Sequence, residues 1–244
     1  FSYSFIFYRT GAYNTALGNN SFFSNTTASY NTAVGYQAMY SNTTGAPNSA
    51  FGSQALYSTT TGSNNTAIGR GSMYSNTTGA TNTALGRDSL YSNTTASYNT
   101  AAGYATLYSN TTGVHNSAFG SSDGLVASTL FSNTTGNYNN AFGNGSLASN
   151  TTGSYNTAQG WQSLNKNTTA NNNTAVGYQA AYTNSTGASL VALGYQALYS
   201  NTTGSSNIAI AQSALRSNTT GIENCSIGQG SLYSNTTGGS NVAL

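Results

Sequence analysis

The sequence predicts an all-β fold, a parallel β-solenoid or β-roll built from 17-residue coils, and three observations carry that prediction. A unit recurs every 17 residues, opened by Asn14, Asn31, Asn48, Asn65, Asn82, Asn99 and Asn116, then by Asn139, Asn156, Asn173, Leu190, Asn207, Asn224 and Asn241. A unit this short cannot bury its own apolar side chains, so each copy must stack on its neighbours and the array grows along one axis. Glycine stands at the fifth place of almost every copy, where it would cost a helix about 1 kcal/mol relative to alanine. Finally, β-branched and aromatic residues gather between turn residues, a strand pattern.

Counted from its opening asparagine, the unit is represented nearly intact by Asn31 to Pro47. The first strand candidate is Asn31-Thr32-Ala33-Val34, ended by Gly35. The second is Gln37-Ala38-Met39-Tyr40, followed by the polar turn Ser41-Asn42-Thr43-Thr44-Gly45. Parallel stacking bonds each coil to the next at about 4.8 Å. Like residues then lie on like, which favours asparagine ladders and aromatic stacks.

Reading by columns gives the expected packing. The third place is Ala16, Ala33, Ala50, Ala67, Ala84, Ala101, Ala118, Ala141, Ala158, Ala175, Ala192, Ala209 and Ala243, with Ser226 as the exception, so space there is tight. The fourth place is apolar but varied: Leu17, Val34, Phe51, Ile68, Leu85, Ala102, Phe119, Phe142, and the polar outlier Gln159. Adjacent strand residues point to opposite faces, so both faces are expected to be buried, one inside the coil and the other against a partner chain or second sheet. A ninth-place row through Met39, Leu56, Met73 and Leu90 supplies the core, and beside it runs an aromatic column through Phe23, Tyr40, Tyr57, Tyr74, Tyr91 and Tyr108.

The whole chain reads as one array: a degenerate first coil over 1–13, regular coils over 14–120, a loop insertion at 121–128 where the spacing from Asn116 to Asn139 widens to 23, and regular coils over 129–244, ending in mid-unit. The apolar opening Phe1 to Tyr8 lacks the basic start of a signal peptide, and the chain reads as a segment of something longer.

At Asn-Thr-Ala-Val-Gly the chain resembles the head repeats of trimeric autotransporter adhesins, over Asn14 to Leu244. Its Tyr-Gln-Ala-Leu and Ser-Asn-Thr-Thr-Gly units are also similar to repeats of bacterial surface and tail-fibre-like proteins. The resemblance implies a β-roll of three chains side by side and a surface role. The 17-residue period is longer than the unit of those heads, and no coiled-coil stalk or membrane anchor is visible in this sequence.

Composition narrows the function. Charged residues make up 3% of the chain and the net charge is +2, which offers no basic stripe for nucleic acid. No apolar run is long enough to span a membrane. Acids and bases do not converge: Asp88, Asp123 and Glu223 are far apart, and His115 and Cys225 stand alone. Neither an enzyme nor a metal or other cofactor is therefore expected.

The turn places Asn25, Asn42, Asn76, Asn93, Asn110, Asn133, Asn150, Asn167, Asn184, Asn201, Asn218 and Asn235 at one vertex, broken only by Thr59. Each opens an Asn-x-Ser/Thr acceptor sequence. One reading is an amide ladder that closes the turn; the other is a row of glycosylation sites, with sugars hydrating a surface short of charge. The expected function is an extracellular or cell-surface structural fibre or adhesin segment. It would present Asn, Thr and Tyr rows and pair with copies of itself, laterally or end to end. The alternative is an ice-binding solenoid, weakened because the paired threonines are adjacent in a turn and cannot form a flat Thr-x-Thr face on one strand.

Overall fold

The computed structural model describes residues 10–122, 124 and 126–244. The apolar opening Phe1 to Tyr8, and Asp123 and Leu125 of the insertion, lie outside the described residues. The chain is an all-β parallel β-solenoid with coils of 17 residues, and its contacts divide it into two compact units, Phe1–His115 and Asn116–Leu244.

The first unit carries β1 (Thr15–Leu17), β2 (Thr32–Val34), β3 (Asn48–Phe51), β4 (Asn65–Ile68), β5 (Thr83–Leu85) and β6 (Thr100–Ala102). Each strand is parallel to the next and in register by one repeat, so Ala16 lies opposite Ala33, Ala33 opposite Ala50, and Ala67 opposite Ala84. The second unit carries β7 (Ser117–Phe119), β8 (Asn140–Phe142), β9 (Thr157–Gln159), β10 (Thr174–Val176), β11 (Val191–Leu193), β12 (Ile208–Ile210), β13 (Cys225–Ile227) and β14 (Val242–Ala243), paired in the same way. Ala118 still faces Ala141 despite the insertion between β7 and β8. The chain has re-entered the core by Ser128, Thr129 and Leu130, all buried.

Each coil holds one strand. The second strand candidate, Gln37 to Tyr40, is a turn, because Gln37 and Met39 stand at φ of 53° and 52° and so break the extended alternation. Two of its amides nevertheless bond between coils, in opposite directions. Gln37 N–H donates back to the Asn19 carbonyl (2.9 Å), and Met39 N–H donates forward to the Ala55 carbonyl (2.9 Å). Residues with positive φ cost roughly 1 kcal/mol each, and these inter-coil bonds offset that cost.

The expected two-sided packing is corrected in one respect. The third-place alanines face the interior together with the ninth-place row: Ala33, Ala50, Ala67 and Ala84 are fully buried beside Met39, Leu56, Met73 and Leu90. Only the terminal rungs depart, with Ala16 exposed and Ala243 half-buried. Ser226, which replaces alanine, is also fully buried and satisfies its hydroxyl by donating to the Ser231 carbonyl (2.7 Å). The fourth-place side chains point outward.

Glycine at the fifth place is required by a close approach. Gly52 has φ of 139°, and a β-carbon there would lie 2.6 Å from the Gly69 carbonyl group. Ala211, the one non-glycine at this place, has φ of 103°, below the 113–144° of the glycines. Replacing Gly52 by alanine is expected to destabilise the chain by about 1–2 kcal/mol, seen as a lower denaturant midpoint; an unchanged midpoint would contradict the close-contact account.

Candidate functional site

Two asparagine ladders run inside the coils and meet at one carbonyl. In the coil opened by Asn65, its Nδ2 donates to the Gly79 carbonyl (2.9 Å), while Asn76 Nδ2 donates to that same carbonyl (3.0 Å). Asn65 Oδ1 accepts the backbone N–H of Asn82 in the next coil (3.0 Å). Asn93 Nδ2 reaches both Asn76 Oδ1 (2.9 Å) and its own coil's Ala96 carbonyl (3.0 Å). The second unit repeats the pattern: Asn156 and Asn167 both donate to the Ala170 carbonyl, at 2.9 and 3.2 Å. One amide closes the coil across its ends and the other closes its turn. Both sets are almost wholly buried, where an amide is tolerated only when hydrogen-bonded.

Of the two readings of the asparagine row, this geometry supplies the amide ladder. From Asn42 to Asn218 the vertex asparagines are fully buried, Asn25 nearly so, and Asn235 half-buried in the last coil. Glycosylation would replace a hydrogen of Nδ2, yet Asn235 Nδ2 already donates to Asn218 Oδ1 (3.0 Å) and to the Gly238 carbonyl (2.9 Å). A sugar on Asn93, Asn150, Asn184 or Asn201 would have to break one bond of the same pair. In the folded chain these residues form the amide ladder.

Two substitutions interrupt the ladders. Thr59 stands where an asparagine would donate to Asn42, and Asn42 Oδ1 is buried without a partner. Leu190 replaces an opening asparagine: its N–H still donates to Asn173 Oδ1 (3.0 Å), but its apolar side chain supplies no amide for the closure.

Outside, the rows are of three kinds. At the tenth place, Phe23, Tyr40, Tyr57, Tyr74, Tyr91 and Tyr108 stack with ring centroids 4.9–5.3 Å apart and planes within 10°. Arg216 takes a ring's place between Tyr199 and Tyr233, its guanidinium 5.0 and 5.7 Å from their centroids and donating to the Tyr233 hydroxyl (3.2 Å). Shorter stacks join Trp161, Tyr178 and Tyr195, and pair His115 with Tyr98.

The second kind is the strand's outer face, with a polar second place beside the apolar fourth: Thr66 beside Ile68, Thr83 beside Leu85. Phe51, Ile68, Leu85 and Phe142 are 40–44% exposed. No described strand carries a Thr-x-Thr pair on this face. The third kind is the polar turn beyond the buried asparagines.

Charges are sparse and local. Arg87 pairs with its neighbour Asp88 (2.9 Å), an exposed pair of little energetic weight. Cys225 is a half-buried free thiol on the strand face. Among the described residues no three His, Cys, Asp or Glu side chains gather to hold a metal ion, and no helix is long and apolar enough to cross a membrane. Compared with known proteins, the chain is matched by no family model, no curated protein and no solved structure.

Two measurements test these rows. Replacing Thr59 by asparagine would supply the missing donor to Asn42 Oδ1 and should stabilise the chain by about 1–3 kcal/mol, the cost of a buried unpaired polar group; lower stability by chemical denaturation would refute the ladder account. The Tyr91 phenol is held above its usual value by partial burial, then by Tyr74, Tyr108 and Asp88, against a smaller opposite effect of Arg70. The folded chain therefore holds this proton more tightly than the unfolded one. Its contribution to stability is full below a pH of about 10 and is lost as pH rises from there through the folded value. Ultraviolet titration should show a late-ionising tyrosine that Tyr91→Phe removes.

Proposed function

We propose that the chain is an extracellular structural segment without enzymatic activity, which associates side by side with copies of itself and presents its outer rows as an adhesive surface. The observation that supports this reading is the outward apolar row. An apolar fourth place recurs from coil to coil and stands exposed at Phe51, Ile68 and Leu85 in the first unit. In the second unit both outward columns are apolar over three successive strands, with Val191 beside Leu193, Ile208 beside Ile210, and Cys225 beside Ile227. Recurrent exposed apolar side chains of this kind mark an interaction face.

Within each unit the face repeats coil by coil, so its best complement is the same face on another copy. A trimer is the favoured count: three such faces meet around one axis and leave the tyrosine ladders and polar turns outside. A low charge content, 3% of residues, removes the repulsion that would keep copies apart. Adhesion then rests on many weak contacts along the rows rather than on a single pocket.

Sedimentation equilibrium of the native chain is expected to show a discrete oligomer at micromolar concentration. A double variant, Ile68→Lys with Leu85→Lys, should remain folded by circular dichroism, because both side chains lie outside the core, and should shift the equilibrium toward the monomer. A native chain that sediments as a monomer at high micromolar concentration would refute lateral association.

A further inference from the structure

The three central residues of the turn have three different surroundings. Asparagine at the twelfth place faces inward and is hydrogen-bonded, as above. At the thirteenth place the threonine hydroxyl donates to the thirteenth-place carbonyl of the next coil: Thr43 to Thr60 (3.0 Å), Thr77 to Thr94 (3.1 Å), Thr202 to Thr219 (3.0 Å). Ser185 does the same (3.0 Å), since a hydroxyl is all that the bond needs. At the fourteenth place, from Thr27 onward, the side chain is exposed in every coil and makes no hydrogen bond among the described residues.

That fourteenth place is nevertheless threonine in every copy, through Thr27, Thr44, Thr61, Thr78, Thr95 and Thr112, and again from Thr135 to Thr237. Common descent of the copies does not account for it. The nearby outward seventeenth place has drifted through Tyr30, Pro47, Asn64, Thr81, Tyr98 and His115 in the same copies. Nor does a preference for a β-branched shape, which valine or isoleucine would meet. What has been kept is an accessible hydroxyl that the fold itself does not use.

We propose that this row of fourteenth-place threonines is a site of covalent O-glycosylation, an inference that rests on the extracellular reading above. The reaction is glycosyl transfer from a nucleoside-diphosphate sugar. Threonine Oγ1 bonds to the anomeric carbon, and the bond from that carbon to the diphosphate breaks. The nucleoside diphosphate leaves, and the hydroxyl proton passes to a base of the transferring enzyme. A neutral sugar suits the row better than a phosphate. Dianions on successive coils, about 4.8 Å apart, would repel one another, and Arg70, Arg87, Lys166 and Arg216 all occupy other places of the unit. Sugars would also hydrate a surface in which only 3% of residues are charged. A sugar ring is wider than one coil spacing, so occupancy should be limited to about every second coil.

The test compares the protein isolated from its source cell with the same chain made in a cell-free system, by intact mass and by electron-transfer fragmentation. The source protein should be heavier by whole sugar increments, located on fourteenth-place threonines. A Thr44→Val, Thr78→Val, Thr95→Val variant expressed in the source cell should lose the increments assigned to those positions. The same variant made cell-free should unfold at the native temperature, whereas a row needed for folding would show a drop. A source protein of bare mass, a phosphate increment, or sugars on thirteenth-place threonines or on asparagines would overturn the proposal. Sedimentation of the bare cell-free chain reads lateral association separately, so either proposal can fail alone.

Discussion

The buried amide pair is the interaction on which the rest of the structure depends. A coil of 17 residues encloses too little volume for a conventional apolar core, and much of what it does enclose is carboxamide. Asn65 and Asn76 converge on the Gly79 carbonyl and at the same time reach the coils on either side. Each such bond contributes only about 0.5–1.5 kcal/mol net, but an unpaired buried amide costs about 1–3 kcal/mol. The asymmetry makes the array self-enforcing. A coil gains most when its neighbours carry the same residues at the same places, which is why the two asparagine places hold in nearly every copy while the outward seventeenth place drifts.

The rest of the interior follows from that closure. With two amides occupying the ends of the coil, the third place has room only for a methyl group or the Ser226 hydroxymethyl, and a single long apolar side chain, such as Leu56 or Leu90, fills the remainder. The outer surface is freed from packing constraints and takes on other patterns. Stacked rings such as Tyr57 on Tyr74 add about 0.5–1.5 kcal/mol each, and Arg216 shows that a planar cation can take a ring's place in such a row. The uncovered Phe51, Ile68 and Leu85 are the part of that surface least suited to water.

Much of the fold could be read from the periodicity: the parallel coil, the strand ending before Gly35, the leucine and methionine core row, and the aromatic stacks. Strand alternation, expected to continue past the glycine, stops there. Gln37 and Met39 adopt left-handed backbone angles, which no composition signal announces for residues of these types, so the expected second strand is a turn. The acceptor motif at Asn93 or Asn201 left two readings open for a related reason. A tripeptide pattern identifies which residue could carry a sugar, but not whether its side chain points inward or outward.

By itself, the amino-acid sequence determined the repeat, the fold class and the set of side chains that must meet like partners one coil away, because a period of 17 residues imposes those stackings whatever the details of the coil. Only the tertiary structure decided direction: alanine inward, the varied apolar row outward, asparagine buried, and of two adjacent threonines one bonded and one exposed. Direction depends on backbone angles at the turns and on whether a coil can close on a shared carbonyl. Those are properties of the closed coil, not of any one residue within it.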